Sequence, residues 1–259
     1  MTTYMTADQS RHRRVDPPPT SRLPLHAELY LLAHHDDTGE PHVSERSLAI
    51  GLAGAILLEL AMSRHVGVGW VFNRFDGTWR KEPGRLTRTT FEPVPDPLTD
   101  AALATIDRTA GLGSLQLREF LRIHAASGLY ERVQAHLITV GLLQRVSRRR
   151  MAGLVKADRT LPVSTAFTVR ARARVRYAVA FDQGRGRYSD DEADDQCAAL
   201  CGLVAVLELA EFDLLSNLSA RQYTEQLHSV VARHGEPTIG DVVAAVDAGR
   251  GDLAVAAMR

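Results

Sequence analysis

The residues best equipped for chemistry sit close together near the N-terminus: His34, His35, Asp36 and Asp37, with His42 nearby. Imidazoles and carboxylates are common ligands for a divalent transition ion, and the same set could serve a metal-assisted hydrolase. Neighbouring histidines on a helix point in different directions, however, so one ion would rarely take both. Asp36-Asp37-Thr38-Gly39 is also turn chemistry. The stretch therefore reads as a solvated turn, with no metal site assigned to it. Other catalytic templates fail: the chain has no Gly-x-Ser-x-Gly elbow, P-loop, paired zinc-type cysteines or His-Glu-x-x-His. Gly67-Val68-Gly69 lacks the third glycine of a dinucleotide fingerprint. Cys197 and Cys201 share a helical face but would need a distorted helix to bridge, and read as buried, reduced thiols of a cytosolic protein. His124 and His136 fall inside helical segments and read as packing or surface residues. No enzyme activity and no cofactor follow from these residues.

Charge is the second constellation. The chain is formally neutral, and arginine supplies 29 of its 31 basic residues. Residues 145–187 nevertheless hold twelve basic residues against two acidic ones, an excess of ten, followed by the acidic run Asp190–Asp195. Such a stretch attracts phosphates on a membrane surface or a nucleic acid. The competing reading is a solvated arginine face offset by the acidic run. Nucleic acid is the weaker ligand, because aromatic residues are scarce among the arginines and the total charge is zero.

The elements that must position these groups are mostly helical. Leu25, Leu29 and Leu32 lie on one face of a helix over about 25–33, entered through Pro24. After the turn, Ser44 is placed to cap a second helix whose stretch Leu48–Met62 carries one charge, Glu59. A membrane span needs about 20 apolar residues, so this run is short and reads as a central helix buried on most sides. Alternation around Asp76-Gly77 predicts a hairpin within His65–Arg80, and residues 84–97 read as a connecting loop. Helices follow over 97–110 and 115–140, the latter interrupted near Ala126–Gly128, with Ser127 placed to cap its second half. Phe167–Phe181 alternates like a strand, yet Thr168, Ala171, Val175, Ala178 and Val179 also form one helical face. Helices over 195–215, 219–234 and 238–248 complete the chain. Residues 1–22 read as a disordered basic arm and 251–259 as a tail. The N-terminus lacks the apolar core of a secretory signal.

The order of these elements resembles the Golgi phosphoprotein 3 family, in its bacterial branch. That family opens with Leu-x-Leu-x-Glu-Glu-Leu-x-Leu-Leu, an acidic-glycine turn and Gly-Leu-x-Gly-x-x-Leu-x-Glu-Leu; Gly51, Leu52, Gly54, Leu57, Glu59 and Leu60 match the last motif. Glu131–Val146 is similar to a second family segment, with Arg132 and Gly141 in place. The likeness implies one mainly α domain over 23–250, a compact multi-helix unit around a buried central helix with one or two β-hairpins. It also implies a helix at Phe167–Phe181, after a short hairpin around Leu142–Ala157.

Functionally, the resemblance implies a non-enzymatic peripheral membrane adaptor that binds phosphatidylinositol 4-phosphate in a basic pocket and self-associates through a hairpin. The four pocket positions of the family fall at Ser44, Ala53, Ser127 and Tyr130, and none keeps the family's tryptophan or arginines. Loss of charged forks removes the strongest phosphate contacts. Arg46, Arg122 and Arg132 are the nearby residues that would line an anionic pocket instead. The resulting expectation is a cytoplasmic protein meeting anionic phospholipid headgroups on the inner face of the membrane, with a protein partner. Its rival is a cytosolic protein-interaction scaffold without lipid binding.

Overall fold

The lone charge in the apolar run, Glu59, ties the first two helices together. In the computed structural model, which describes residues 22–73, 77–110, 115–149, 156–182, 194–211 and 218–258, α1 spans Leu25–Leu32 and α2 spans Glu45–Met62. The first N–H groups of a helix have no acceptor within it, and Pro24 offers α1 no capping side chain. Glu59 supplies one from the neighbouring helix. Its Oε1 accepts from the His26 backbone N–H at 2.9 Å and lies 3.0 Å from the His26 ring Nδ1. No helix among the described residues is long and apolar enough to cross a membrane.

A helix apolar around its whole circumference must be buried around it, and α2 is, from Leu48 through Leu58. It packs against α1, α3 (Pro97–Ala110), α4 (Leu117–Ala126), α5 (Leu129–Thr139), α7 (Asp195–Val206) and α9 (Pro237–Ala257). Small residues permit this crowding. A Cβ on Gly54 would stand 2.5 Å from Val246 Cγ2 of α9, and one on Gly51 would stand 2.6 Å from Leu207 Cδ1. Side chains from all these helices join a single core.

Two antiparallel hairpins flank the bundle. Strands β1 (Val66–Asn73) and β2 (Thr78–Arg88) pair around Asp76-Gly77 as expected, with residues 74–76 outside the described set. Strand β2 continues to Arg88, through part of the stretch expected to be loop, because Leu86 is buried and stands opposite Val68. Strands β3 (Leu143–Arg149) and β4 (Lys156–Pro162) make the second hairpin.

Phe167–Phe181 resolves as helix α6 (Ala166–Asp182). The buried set is the helical one, Thr168, Ala171, Val175, Ala178 and Val179, while Val169 and Tyr177 of the alternating set are exposed. Helix α8 (Ala220–His234) opens with a capping box between Ser219 and Gln222. Three boundaries differ from expectation. Helix α7 stops at Val206, where Leu207 caps it and Glu208 takes a positive φ of 57°. Helix α9 continues to Ala257, through residues expected as a tail. Ser127 closes the helix before it instead of opening the next: its hydroxyl donates to the His124 carbonyl at 2.6 Å, and Gly128, left-handed at φ 71°, turns the chain into α5.

Candidate anionic-ligand site

The structure disperses the histidine–aspartate turn. His34 is buried, its Nδ1 2.6 Å from the Tyr30 carbonyl and its Nε2 3.0 Å from the Tyr130 hydroxyl. The carbonyl can only accept, so Nδ1 donates and Nε2 accepts from the tyrosine. Burial pushes the His34 pKa down to about 4, against a smaller upward pull from the Tyr30 carbonyl, so the ring stays neutral. His35 is exposed and meets His42 edge-on at 4.0 Å. Asp36 pairs with Arg172 at 2.8 Å. Among the described residues these side chains do not come within reach of one ion.

The basic stretch 145–187 also divides. Arg145, Arg148 and Arg149 lie on β3, whereas Arg170, Arg172, Arg174 and Arg176 lie on α6. Arg174 reaches the buried carboxylate of Glu28 at 2.6 Å and Asp194 at 3.7 Å. Much of the charge on α6 is thus spent inside the fold. Arg150, Arg185, Arg187 and the acidic residues Asp190–Glu192 lie outside the described residues.

A different set converges. The start of α2, the end of α4, the start of α5 and the end of α9 surround a cleft of about 530 Å³. Arg46 and Arg122 line it together with Glu45, Glu131, Tyr130 and Leu253. Both arginines are exposed, and neither makes an ion pair among the described residues. The N-terminal ends of α2 and α5 add positive partial charge there. A second cleft, of about 860 Å³, shares Arg46 and Leu253 and extends past Ser44, Asp247 and Arg250.

Of the predicted residues, Arg46, Arg122 and Tyr130 therefore meet in one cleft, and Ser44 lines the adjoining one. Ser44 is held structurally, its hydroxyl accepting from the Ser47 N–H as the cap of α2. Ala53 lies two turns along α2 from Arg46 and is fully buried, so its methyl forms core. Arg132 does not line the cleft: its guanidinium donates to the Ser127 hydroxyl at 3.1 Å. Its charge adds to the effect of burial in lowering the His124 pKa to about 4. Tyr130 stacks with Tyr30 and His34, and burial, then Tyr30, raise its hydroxyl pKa well above the ordinary value.

Sequence reading missed Leu253 and the two glutamates. The charge signal of Glu45 and Glu131, each beside a predicted arginine, was present in the sequence. The contribution of Leu253 depended on recognising that α9 runs past Gly251.

Comparison with known proteins agrees with this architecture. No individual curated protein matches the chain significantly. The sequence model of Golgi phosphoprotein 3 (GPP34) matches residues 25–250, from the first residue of α1 into α9. By this match, which covers most of its length, the chain belongs to the Golgi phosphoprotein 3 family.

Proposed function

We propose that this protein is a non-enzymatic, peripheral membrane adaptor of the cytoplasmic face, and that Arg46 and Arg122 receive an anionic phospholipid headgroup in the cleft between α2, α4 and α5. The observation that carries the reading is the pair of exposed guanidiniums without ion-pair partners among the described residues, on one cleft. A guanidinium fork engages phosphate oxygens in pairs, and the cleft lies between two helix N-termini, where anions are favoured. Family membership supports the lipid class. The missing arginine at Ala53 makes the contact shallower than a phosphate pocket reaching into the core. Exposed Trp70 on β1 is where self-association through a hairpin would begin.

A second reading, a scaffold without lipid binding, draws on Glu45 and Glu131, which balance the two arginines formally. Vesicle cosedimentation separates the readings. The full chain should pellet with phosphatidylserine or phosphatidylinositol 4-phosphate vesicles and not with phosphatidylcholine alone. Binding should fall as salt rises from about 0.1 M to about 1 M and the screening length shrinks from about 10 Å to about 3 Å. Arg46→Ala with Arg122→Ala should weaken it by about 2 kcal/mol, roughly 30-fold, at about 1 kcal/mol per basic residue near an anionic surface. Equal pelleting with neutral and acidic vesicles would defeat the lipid reading.

A further inference from the structure

Away from this cleft, three ligating side chains that sequence spacing never brings together face one another. His26 lies in the first turn of α1, Asp96 immediately precedes α3, and His136 lies in the last turn of α5. The His26 Nε2 is 3.9 Å from Asp96 Oδ2, and the His136 Nε2 is 3.6 Å from the same oxygen. One ligand atom from each residue lies within 4.8 Å of the other two, the one such trio among the described residues. We propose that His26, Asp96 and His136 bind a divalent transition-metal ion of the zinc class, with a further coordination position open toward solvent.

Four observations carry this. First, the His26 side chain is fully buried, and its Nε2 has no hydrogen-bond partner. Buried polar atoms are seldom left unsatisfied, so this nitrogen calls for a ligand. Second, the opposite ring nitrogen is already directed. His26 Nδ1 lies 3.0 Å from both Glu59 oxygens, and donating its proton there leaves the Nε2 lone pair facing Asp96. A carboxylate behind a histidine is the usual outer shell of a metal-binding imidazole. Third, Asp96 divides its two oxygens. Oδ1 accepts from the Leu98 N–H at 2.6 Å and the Thr99 N–H at 3.1 Å, capping α3. That bond fixes the carboxylate with Oδ2 toward the imidazoles. Fourth, the two histidine rings are tilted by 51° with centroids 6.3 Å apart, so they do not stack face to face.

The dimensions suit the ion. Tetrahedral zinc with ligands at roughly 2.0–2.1 Å spaces them about 3.4 Å apart; the two imidazole–carboxylate distances, 3.9 and 3.6 Å, exceed that by about 0.5 and about 0.2 Å, and the whole trio, within 4.8 Å, would draw in slightly around the ion. His136 and Asp96 keep partial exposure, which leaves room for water as a further ligand. Two imidazoles and a carboxylate suit zinc and its neighbours better than calcium or magnesium. The competing occupant is a second proton on the His26 ring, which stands between the carboxylates of Glu59 and Asp96.

The test titrates zinc, and separately cobalt, into the metal-stripped full chain at about pH 8. One ion per chain should bind, and cobalt should give the strong visible absorption of a four-coordinate site. His136→Ala should weaken zinc by more than about 100-fold, beyond the about 10–100-fold expected for the outer-shell variant Glu59→Gln. Asp96→Asn, which keeps an oxygen for the α3 cap, should also lose the ion. His35→Ala should bind as the unaltered chain does. Circular dichroism of each metal-free variant checks its fold. Absence of stoichiometric binding by the unaltered chain would overturn the proposal, as would binding by His136→Ala and Asp96→Asn as tight as that of the unaltered chain, or loss on His35→Ala alone. The vesicle experiment is independent of every one of these outcomes.

Discussion

Gly54→Val is expected to destabilise the protein by about 3 kcal/mol, the upper end of ordinary overpacking. The new Cβ alone would lie 2.5 Å from Val246 Cγ2 and 3.5 Å from Leu203 Cδ2. Val246 is fully buried and β-branched, so it has no easy rotamer of escape. A glycine in mid-helix ordinarily costs about 1 kcal/mol relative to alanine, and α2 carries that cost to let α9 approach. The contrast is Gly240, also helical, where an added Cβ meets nothing within 4 Å. Gly240→Ala should raise stability by about 0.5–1 kcal/mol. Denaturant unfolding at constant slope reads both changes. A Gly54→Val variant as stable as the unaltered chain would show that α2 and α9 do not pack as described.

The second large effect is acid sensitivity from two buried neutral histidines. His34 and His124 have pKa values of about 4, lowered from 6.5 mainly by burial. Between about pH 6.5 and pH 4 the unfolded chain binds these protons and the folded chain does not. Stability is therefore complete above about pH 6.5 and falls as pH drops toward 4, with a total near 3 kcal/mol for each residue. His124 gives the cleaner test, because its Nε2 has no hydrogen-bond partner among the described residues and its ring stacks on Phe120. His124→Leu should hold about 3 kcal/mol more of its neutral-pH stability at pH 4 than the unaltered chain holds. Identical pH profiles would contradict the assignment.

What the sequence disclosed depended on whether the cause was local. The apolar circumference of Leu48–Leu60 and the alternation on either side of Asp76-Gly77 carry their structure in neighbouring residues, and the buried helix and the paired strands β1 and β2 are both found. Phe167–Phe181 supported two periods; the family resemblance pointed to the helix, and packing of α6 against α1, α7 and α8 buries its helical face. Gly249 and Gly251 obscured the end of α9. The good helix formers Leu253, Ala254, Ala256 and Ala257 carry the helix beyond them.

The candidate site was legible in its parts and not in its assembly. Arg46 and Arg122 were identified from their nearness to family positions, and α2 and α4 bring them to one cleft. Arg132 looked equivalent in the sequence, yet the turn at Ser127-Gly128 draws its guanidinium away. His136 read as a packing or surface residue, because nothing near it in the chain announces His26 or Asp96. Glu59 appeared first as a charge misplaced in an apolar helix, and its partner, the N-terminus of α1, is visible only in three dimensions.

The central claim, that the cleft between Arg46 and Arg122 meets the anionic headgroup, is tested most directly by a charge-matched comparison on vesicles containing phosphatidylinositol 4-phosphate. One variant joins Arg46→Glu with Arg122→Glu, and its control joins Arg170→Glu with Arg221→Glu on α6 and α8. The two have the same net charge. The cleft variant should stay in the supernatant while the control pellets like the unaltered chain. Equal loss in both variants would mean that overall charge governs the interaction, and would contradict the cleft as the site.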